Sequence, residues 1–357
     1  RPLTPFCSET GRISLSVDGL GTRTSSGLIQ VRKPPGGSVR KAFMAAASIP
    51  GSAGIAYGDI LLLGQEVDWT LAFRQMGAMG VRISLSDVTA LVKPFLDAAP
   101  AGIVDVVIEE RNSVDIEGEL LAVIFDDTSQ NAPCTVVLLF GGQKQEGDDF
   151  TIPLVRAIDK SDPRLLLDMG LGISFGNQVP PHLMMIRQVN FIDVNGTRLT
   201  SSAGGQDDAD VYPNVSDALL TVGGVGDTHC NPPPFACPQV GAGIPDDEMY
   251  NLIPFVSDGD TAIRVHTFNP SDDDNLFFAW LVHGSRRDAH DDALSLRIDA
   301  PDTLYYDEIR NSLNPPVFDI TGTVRNSDAS ASPAGLSGRL HIPPFLRFNP
   351  AGQDSTI

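Results

Sequence analysis

Between Ser38 and Gly284 the chain is a succession of short apolar or alternating runs, each closed by Gly, Pro, Asp or Asn. Such a pattern can only be folded as many strands joined by turns. Ser38 to Ser48, Asp59 to Phe73, Gly102 to Glu110, Glu119 to Asp127, Thr135 to Gly142 and Asp148 to Arg156 form a first set. Leu165 to Phe175, Gln188 to Thr200, Ala218 to Val225, Thr261 to Phe268 and Asn275 to Gly284 form a second. Leu120-Ala-Val-Ile-Phe125 and Val136-Val-Leu-Leu-Phe140 do not alternate, which predicts central strands covered on both faces. The 34 Gly and 27 Pro support the frequent turns this requires.

Two segments read as short helices capping the open ends of a sandwich. Ser86-Asp-Val-Thr-Ala-Leu-Val-Lys-Pro-Phe-Leu-Asp97 starts with a cap-forming residue and puts Val88, Leu91 and Val92 on one face before Pro94 disturbs the turn. Asp246-Asp-Glu-Met-Tyr-Asn-Leu-Ile-Pro-Phe255 has the acidic start that suits a helix N-terminus. The expected organisation is all-β: an N-terminal arm over 1–37, a large jelly-roll-like β-sandwich over 38–286, a polar linker over 287–292, and a partial immunoglobulin-like sandwich over 293–357. That last stretch holds 65 residues where such a sandwich needs about 100. Either a longer protein continues it or another chain supplies the missing strands by β-augmentation. The strand-like Gly11-Arg-Ile-Ser-Leu-Ser-Val-Asp18 in the arm is the candidate donor.

Charge restricts the partners. With 25 Lys and Arg against 45 Asp and Glu, the formal charge of −20 repels nucleic acid and anionic membranes. No apolar run approaches the ~20 residues of a membrane-spanning helix. The opening Arg1-Pro2-Leu3 is compatible with a mature species whose export signal has been removed. Cys230 and Cys237 bracket a Pro-rich loop and are expected to form a disulfide, which fits an oxidising compartment. The rival reading, a metal held by His229 and both thiols, lacks a second close pair of ligands. Cys7 and Cys134 are either a long-range bridge or two buried thiols.

The candidate ligands are acidic loops. Asp207, Asp208 and Asp210, then Asp258 and Asp260, then Asp272, Asp273 and Asp274 each gather oxygens that suit calcium, although none has EF-hand spacing. The competing reading is a set of solvated turns. Gly172-Ile-Ser174-Phe-Gly176 matches the pattern of a nucleophile elbow, but Asn177-Gln-Val-Pro-Pro-His182 cannot start the required helix, so Ser174 reads as a strand end. The six His, at 182, 229, 266, 283, 290 and 341, show no metal-binding spacing. Trp69 and Trp280 could line a sugar-binding face or fill the core. Asn195-Gly-Thr and Asn214-Val-Ser fit the glycosylation pattern, which is too short to decide anything.

A family likeness rests on Asp87-Val-Thr-Ala-Leu-Val92, Glu119-Leu-Leu-Ala-Val-Ile-Phe-Asp-Asp127, Val194-Asn-Gly-Thr197 and Gly205-Gln-Asp-Asp-Ala-Asp-Val-Tyr-Pro-Asn214. Asp246 to Phe255 and Phe268-Asn-Pro-Ser-Asp-Asp-Asp-Asn-Leu-Phe-Phe-Ala279 extend it. Over Ser38 to Gly284 the chain resembles secreted bacterial surface proteins: large β-sandwich modules ahead of immunoglobulin-like repeats, many with a PEP-CTERM sorting tail. Ala293 to Pro350 resembles the repeat that follows in adhesins and filaments. The resemblance implies an extracellular or cell-surface location and leaves the mode of anchoring open. The expectation is a non-enzymatic structural subunit of a filament, sheath or surface layer, self-associating by strand exchange. The alternative is an adhesin or glycan-binding module with calcium-ordered loops.

Overall fold

The computed structural model describes residues 2–21, 25–48, 52–74, 80–144, 146–174, 190–201, 203, 220–227, 248–270, 275–285, 294–299, 305–307, 312–314 and 321–326. The chain divides into one unit of Arg1–Arg286 and a second of Arg287–Ile357. No helix among the described residues is long and apolar enough to cross a membrane.

The first unit is all-β and antiparallel. Its early strands are β1 (Thr4–Gly11), β2 (Ile13–Leu20), β3 (Ser26–Lys33), β4 (Ser38–Ser48), β5 (Ile60–Leu62), β6 (Gln65–Glu66), β7 (Leu71–Arg74) and β8 (Arg82–Asp87). Helix α1 (Thr89–Ala98) precedes β9 (Gly102–Glu110) and β10 (Ile116–Asp126). Then come β11 (Cys134–Phe140), β12 (Asp148–Pro153), β13 (Leu165–Ser174), β14 (Phe191–Val194), β15 (Thr197–Thr200), β16 (Leu220–Val222), β17 (Met249–Asn251), β18 (Ala262–Phe268) and β19 (Asn275–Ser285).

These strands form two jelly rolls in tandem rather than the single large sandwich expected over 38–286. In the first, β2-β10-β4-β8-β7 makes a front sheet and β3-β9-β5-β6 a back sheet. In the second, β11-β19-β13-β16 is the front sheet, with β17 also on β13, and β12-β18-β14-β15 the back. Replacing β2, β3, β4, β5, β6, β9 and β10 by β11, β12, β13, β14, β15, β18 and β19 turns the shared part of one order into the other, so the two rolls repeat one topology. The β5–β6 and β14–β15 hairpins even share a turn, with both central residues left-handed: Leu63 and Gly64 at φ 53 and 74, Asn195 and Gly196 at φ 50 and 80.

Three apolar cores separate four sheets. Leu121, Val123 and Phe125 of β10 pack inside the first roll with Val104, Val106 and Ile108 of β9 and with Val92 and Leu96 of α1. The alternate residues Leu120, Ala122 and Ile124 pack with Val136, Leu138 and Phe140 of β11 in a middle core between the two front sheets. Val137 and Leu139 then face the interior of the second roll with Met169, Leu171, Ile263 and Val265. The stacking is therefore back, front, front, back, and it explains why β10 and β11 are apolar on both faces. Each side chain so buried contributes about 1.5–3 kcal/mol.

The stretch expected as an N-terminal arm, 1–37, contributes three strands to the sheets of the first unit. β2 pairs with β10 from Ile13↔Asp126 to Leu20↔Glu119, so the expected donor segment is already paired within its own chain. β3 pairs with β9 along its length. Ser16 and Asp18 of β2 accept hydrogen bonds from the edge amides of Arg32 and Gln30, closing the corner between front and back sheets. β1 crosses to the second roll and pairs with β11. Cys7 lies opposite Leu138 and Cys134 opposite Gly11, about 13 Å apart along the strand. Both are buried free thiols, not a bridge.

α1 begins after Asp87, whose Oδ1 accepts the Thr89 amide at 2.9 Å, and continues through Pro94 to Ala98. Buried Lys33 ends it, its Nζ donating to the Asp97 and Ala99 carbonyls at 2.8 and 2.7 Å. The helix expected over 246–255 is instead strand β17 followed by a 3₁₀ turn, Ile253–Phe255, where Pro254 withholds the amide a longer helix needs; 246–247 lie outside the described residues.

In the second unit β20 (Leu294–Asp299) pairs with β23 (Thr321–Asn326), and β21 (Tyr305–Asp307) with β22 (Ser312–Asn314), both antiparallel.

Candidate functional site

The two rolls present their loop-bearing ends at the same pole. Ser174 ends β13 beside Leu220 and Asn275, which begin β16 and β19. Leu220 in turn lies against Gly118, at the start of β10; a Cβ there would also meet the Leu20 carbonyl. The start of β10 and the start of β19 therefore lie on one side.

At this pole the interiors of the rolls differ. The inward stripe of β9 runs Val104, Val106, Ile108 and ends on Glu110; that of β10 runs Phe125, Val123, Leu121 and reaches Glu119. Glu110 is 1% and Glu119 0% exposed. The Glu110 amide donates to the Ser25 carbonyl at 2.9 Å, and Glu119 sits between Leu20 of β2 and Ala46 of β4. None of the four carboxyl oxygens meets an N–H or hydroxyl donor among the described residues, and the two carboxyls lie close enough to share a proton between them. Burial pushes the Glu110 carboxyl up to about 8, with the charge of neighbouring Glu117 adding to the effect. Burial, then the proximity of Glu110, holds Glu119 well above the ordinary carboxyl range. Such a pair can hold protons or a small cation; it is sealed against anything larger.

In the second roll the corresponding end is neutral. Gln143 Nε2 donates to Asn190 Oδ1 at 3.0 Å and Asn190 Nδ2 returns a bond to Gln143 Oε1 at 3.3 Å, both residues being buried. Two amides satisfy each other in this way.

Of the acidic residues singled out in the sequence, Asp258 and Asp260 occupy the turn before β18, at the far end of that strand. Asp258 Oδ1 accepts the Lys160 amide at 2.9 Å and Asp260 Oδ2 the Ser257 amide at 2.8 Å, so both brace turns. Asp207, Asp208, Asp210, Asp272, Asp273 and Asp274 lie outside the described residues, as do Cys230 and Cys237. Among the described residues no three His, Cys, Asp or Glu side chains converge to hold a metal. Ser174 is the last residue of β13 and fully buried. His283 is buried with Nδ1 unpartnered, pushed down to about 4 by burial and by Arg156. Trp280 belongs to the middle core, its Nε1 donating to the Gly223 carbonyl at 2.8 Å, while Trp69 flanks the core of the first roll.

The glutamate pair was missed in the sequence, although the period-two inward stripes of β9 and β10 extend to it. No protein-family model matches the chain, and no curated protein matches it.

Proposed function

We propose that this chain is an extracellular structural protein, a subunit of a filament, sheath or surface layer, whose copies assemble by exchanging β1. The observation that carries the reading is the position of β1. It is an added strand, outside the repeated order, on the edge of the second roll, and Arg12 alone joins it to β2 in the first. Main-chain pairing with β11 supplies its affinity, and side chains supply its register. Phe6 meets Phe43 edge-on at 5.1 Å, and Glu9 pairs with Lys41 at 2.6 Å. A strand from a second copy can make the same bonds, so one edge serves both closure and assembly. The extracellular setting rests on the resemblance to secreted surface proteins and on the disulfide expected between Cys230 and Cys237, which lie outside the described residues.

Size exclusion and negative-stain microscopy of the native chain, against a variant lacking residues 1–11, test the reading. Ordered polymers that vanish in the variant while its circular dichroism stays β-rich are the expected result. Polymers that persist without β1, or a native chain that is monomeric at all concentrations, overturn it.

A glycan-binding reading draws on the outer face of the second roll's back sheet. There Phe268, 40% exposed, stacks on Phe191 at 6.1 Å, and Arg198 covers the far side of Phe191 at 4.1 Å. Saturable binding on a glycan array, lost in Phe268→Ala, is its test.

A further inference from the structure

We propose that Glu110 and Glu119 bind one divalent cation of the calcium class inside the first jelly roll, fastening the β9–β10 turn to the front sheet. Glu110 and Glu119 are 1% and 0% exposed, and among the described residues their four carboxyl oxygens meet no N–H or hydroxyl donor, only each other. A carboxylate taken out of water without partners is strongly unfavourable, and a buried polar group left unpaired calls for a bound water or ion. Among the described residues, no counter-charge is recorded beside the pair. Ile60 of β5 faces Glu110, and Leu20 and Ala46 flank Glu119; the electrostatic influences on the pair are each other and Glu117. Oxygen-only ligands, two of them able to bind through both atoms, select a hard cation over zinc or copper. Main-chain carbonyls complete such shells, which is why two carboxylates suffice where no third acidic side chain converges.

The site differs from the acidic loops singled out in the sequence: its ligands sit on adjacent strands, one in each sheet of the roll, so the ion ties the sheets together. The inference is independent of strand exchange, because it concerns a site within a single copy.

Equilibrium dialysis of the full chain against calcium chloride, with thermal melts in calcium and in chelator, tests it. The wild type is expected to melt higher in calcium. In Glu110→Gln/Glu119→Gln the bound calcium falls by one per chain and the calcium-dependent rise shrinks, whatever the acidic loops contribute. Glu119→Asp keeps the charge and withdraws the oxygens by one methylene, and its binding at this site is expected to weaken about tenfold or more. A double variant that binds as much calcium as wild type and gains the same stabilisation overturns the proposal. Should the double variant fail to fold, unchanged calcium affinity and stoichiometry in Glu119→Asp overturn it equally.

Discussion

Gly224 offers a direct test of how the two jelly rolls are joined. It follows β16 of the second roll and rests on β2 of the first, where the Val225 amide donates to the Val17 carbonyl at 2.8 Å. A Cβ on Gly224 would fall on that carbonyl oxygen, well inside van der Waals contact, and beyond it on the Asp18 amide nitrogen. Its backbone is outside the left-handed region, so Gly224→Ala carries no conformational penalty and reads the contact alone. Backbone cannot yield as a side chain can. Overpacking costs about 1–3 kcal/mol, and a buried carbonyl or amide that loses its partner about 1–3 kcal/mol more, so a destabilisation of roughly 2–5 kcal/mol is expected. Urea unfolding followed by fluorescence is the assay, because the chain has only two Trp, one beside the first roll's core and the other in the middle core. Single-Trp variants should unfold in coincident transitions that both shift with Gly224→Ala. Gly27→Ala is the comparison: its Cβ would meet only the methyls of Leu20, at 2.7 Å, which can swing aside. A Gly224→Ala protein within about 0.5 kcal/mol of wild type would refute the argument that the rolls are locked at this point.

In chelator, stability should fall as pH rises. Glu110 holds its proton in the folded state up to about 8 against an ordinary 4.5, so its contribution is complete below 4.5 and lost on the way to 8. The loss is on the order of a few kcal/mol and should flatten in Glu110→Gln, as read from urea midpoints against pH. His283 works in the opposite sense: its folded value is lowered to about 4 from 6.5, so stability present above 6.5 is lost as pH falls toward 4. His283→Leu should remove roughly 3 kcal/mol of that acid sensitivity. Comparing it with wild type at each pH cancels the contrary trend of Asp18, which burial raises to about 6.

The strands were legible where burial leaves a clean pattern. Ser38–Ser48 and Gly102–Glu110 stand as the sequence marks them, because β4 is paired on both sides and β9 alternates apolar with polar residues. The N-terminal strands were not. β1 to β3 lie at or beside sheet edges and carry Ser, Thr and Gly on their solvent face, so their inward residues, Ile13, Val17, Ile29 and Val31, are too sparse to stand out in a stretch rich in loop-forming residues. The repeated topology was hidden as well. Long segments separate the strands of the second roll at 175–189, 204–219 and 228–247, and these destroy any fixed period; Leu63-Gly64 and Asn195-Gly196 share a backbone conformation but one residue type. The acidic loops drew attention through local density of charge. The glutamate pair depends on two strands brought together by the fold, and only strand parity points to it.

The two rolls share a topology but have parted chemically at the same pole. In the second roll, Gln143 and Asn190 donate to and accept from each other, so the end is closed with nothing added. In the first roll, two carboxyls occupy the equivalent interior with only each other as partners among the described residues, so at least one proton must be held there for the end to close without charge. β1 makes the complementary asymmetry, completing the edge of the second roll alone. The first roll thus holds the buried carboxyl pair and the second the added edge strand, while the middle core ties any loosening of the one to the other.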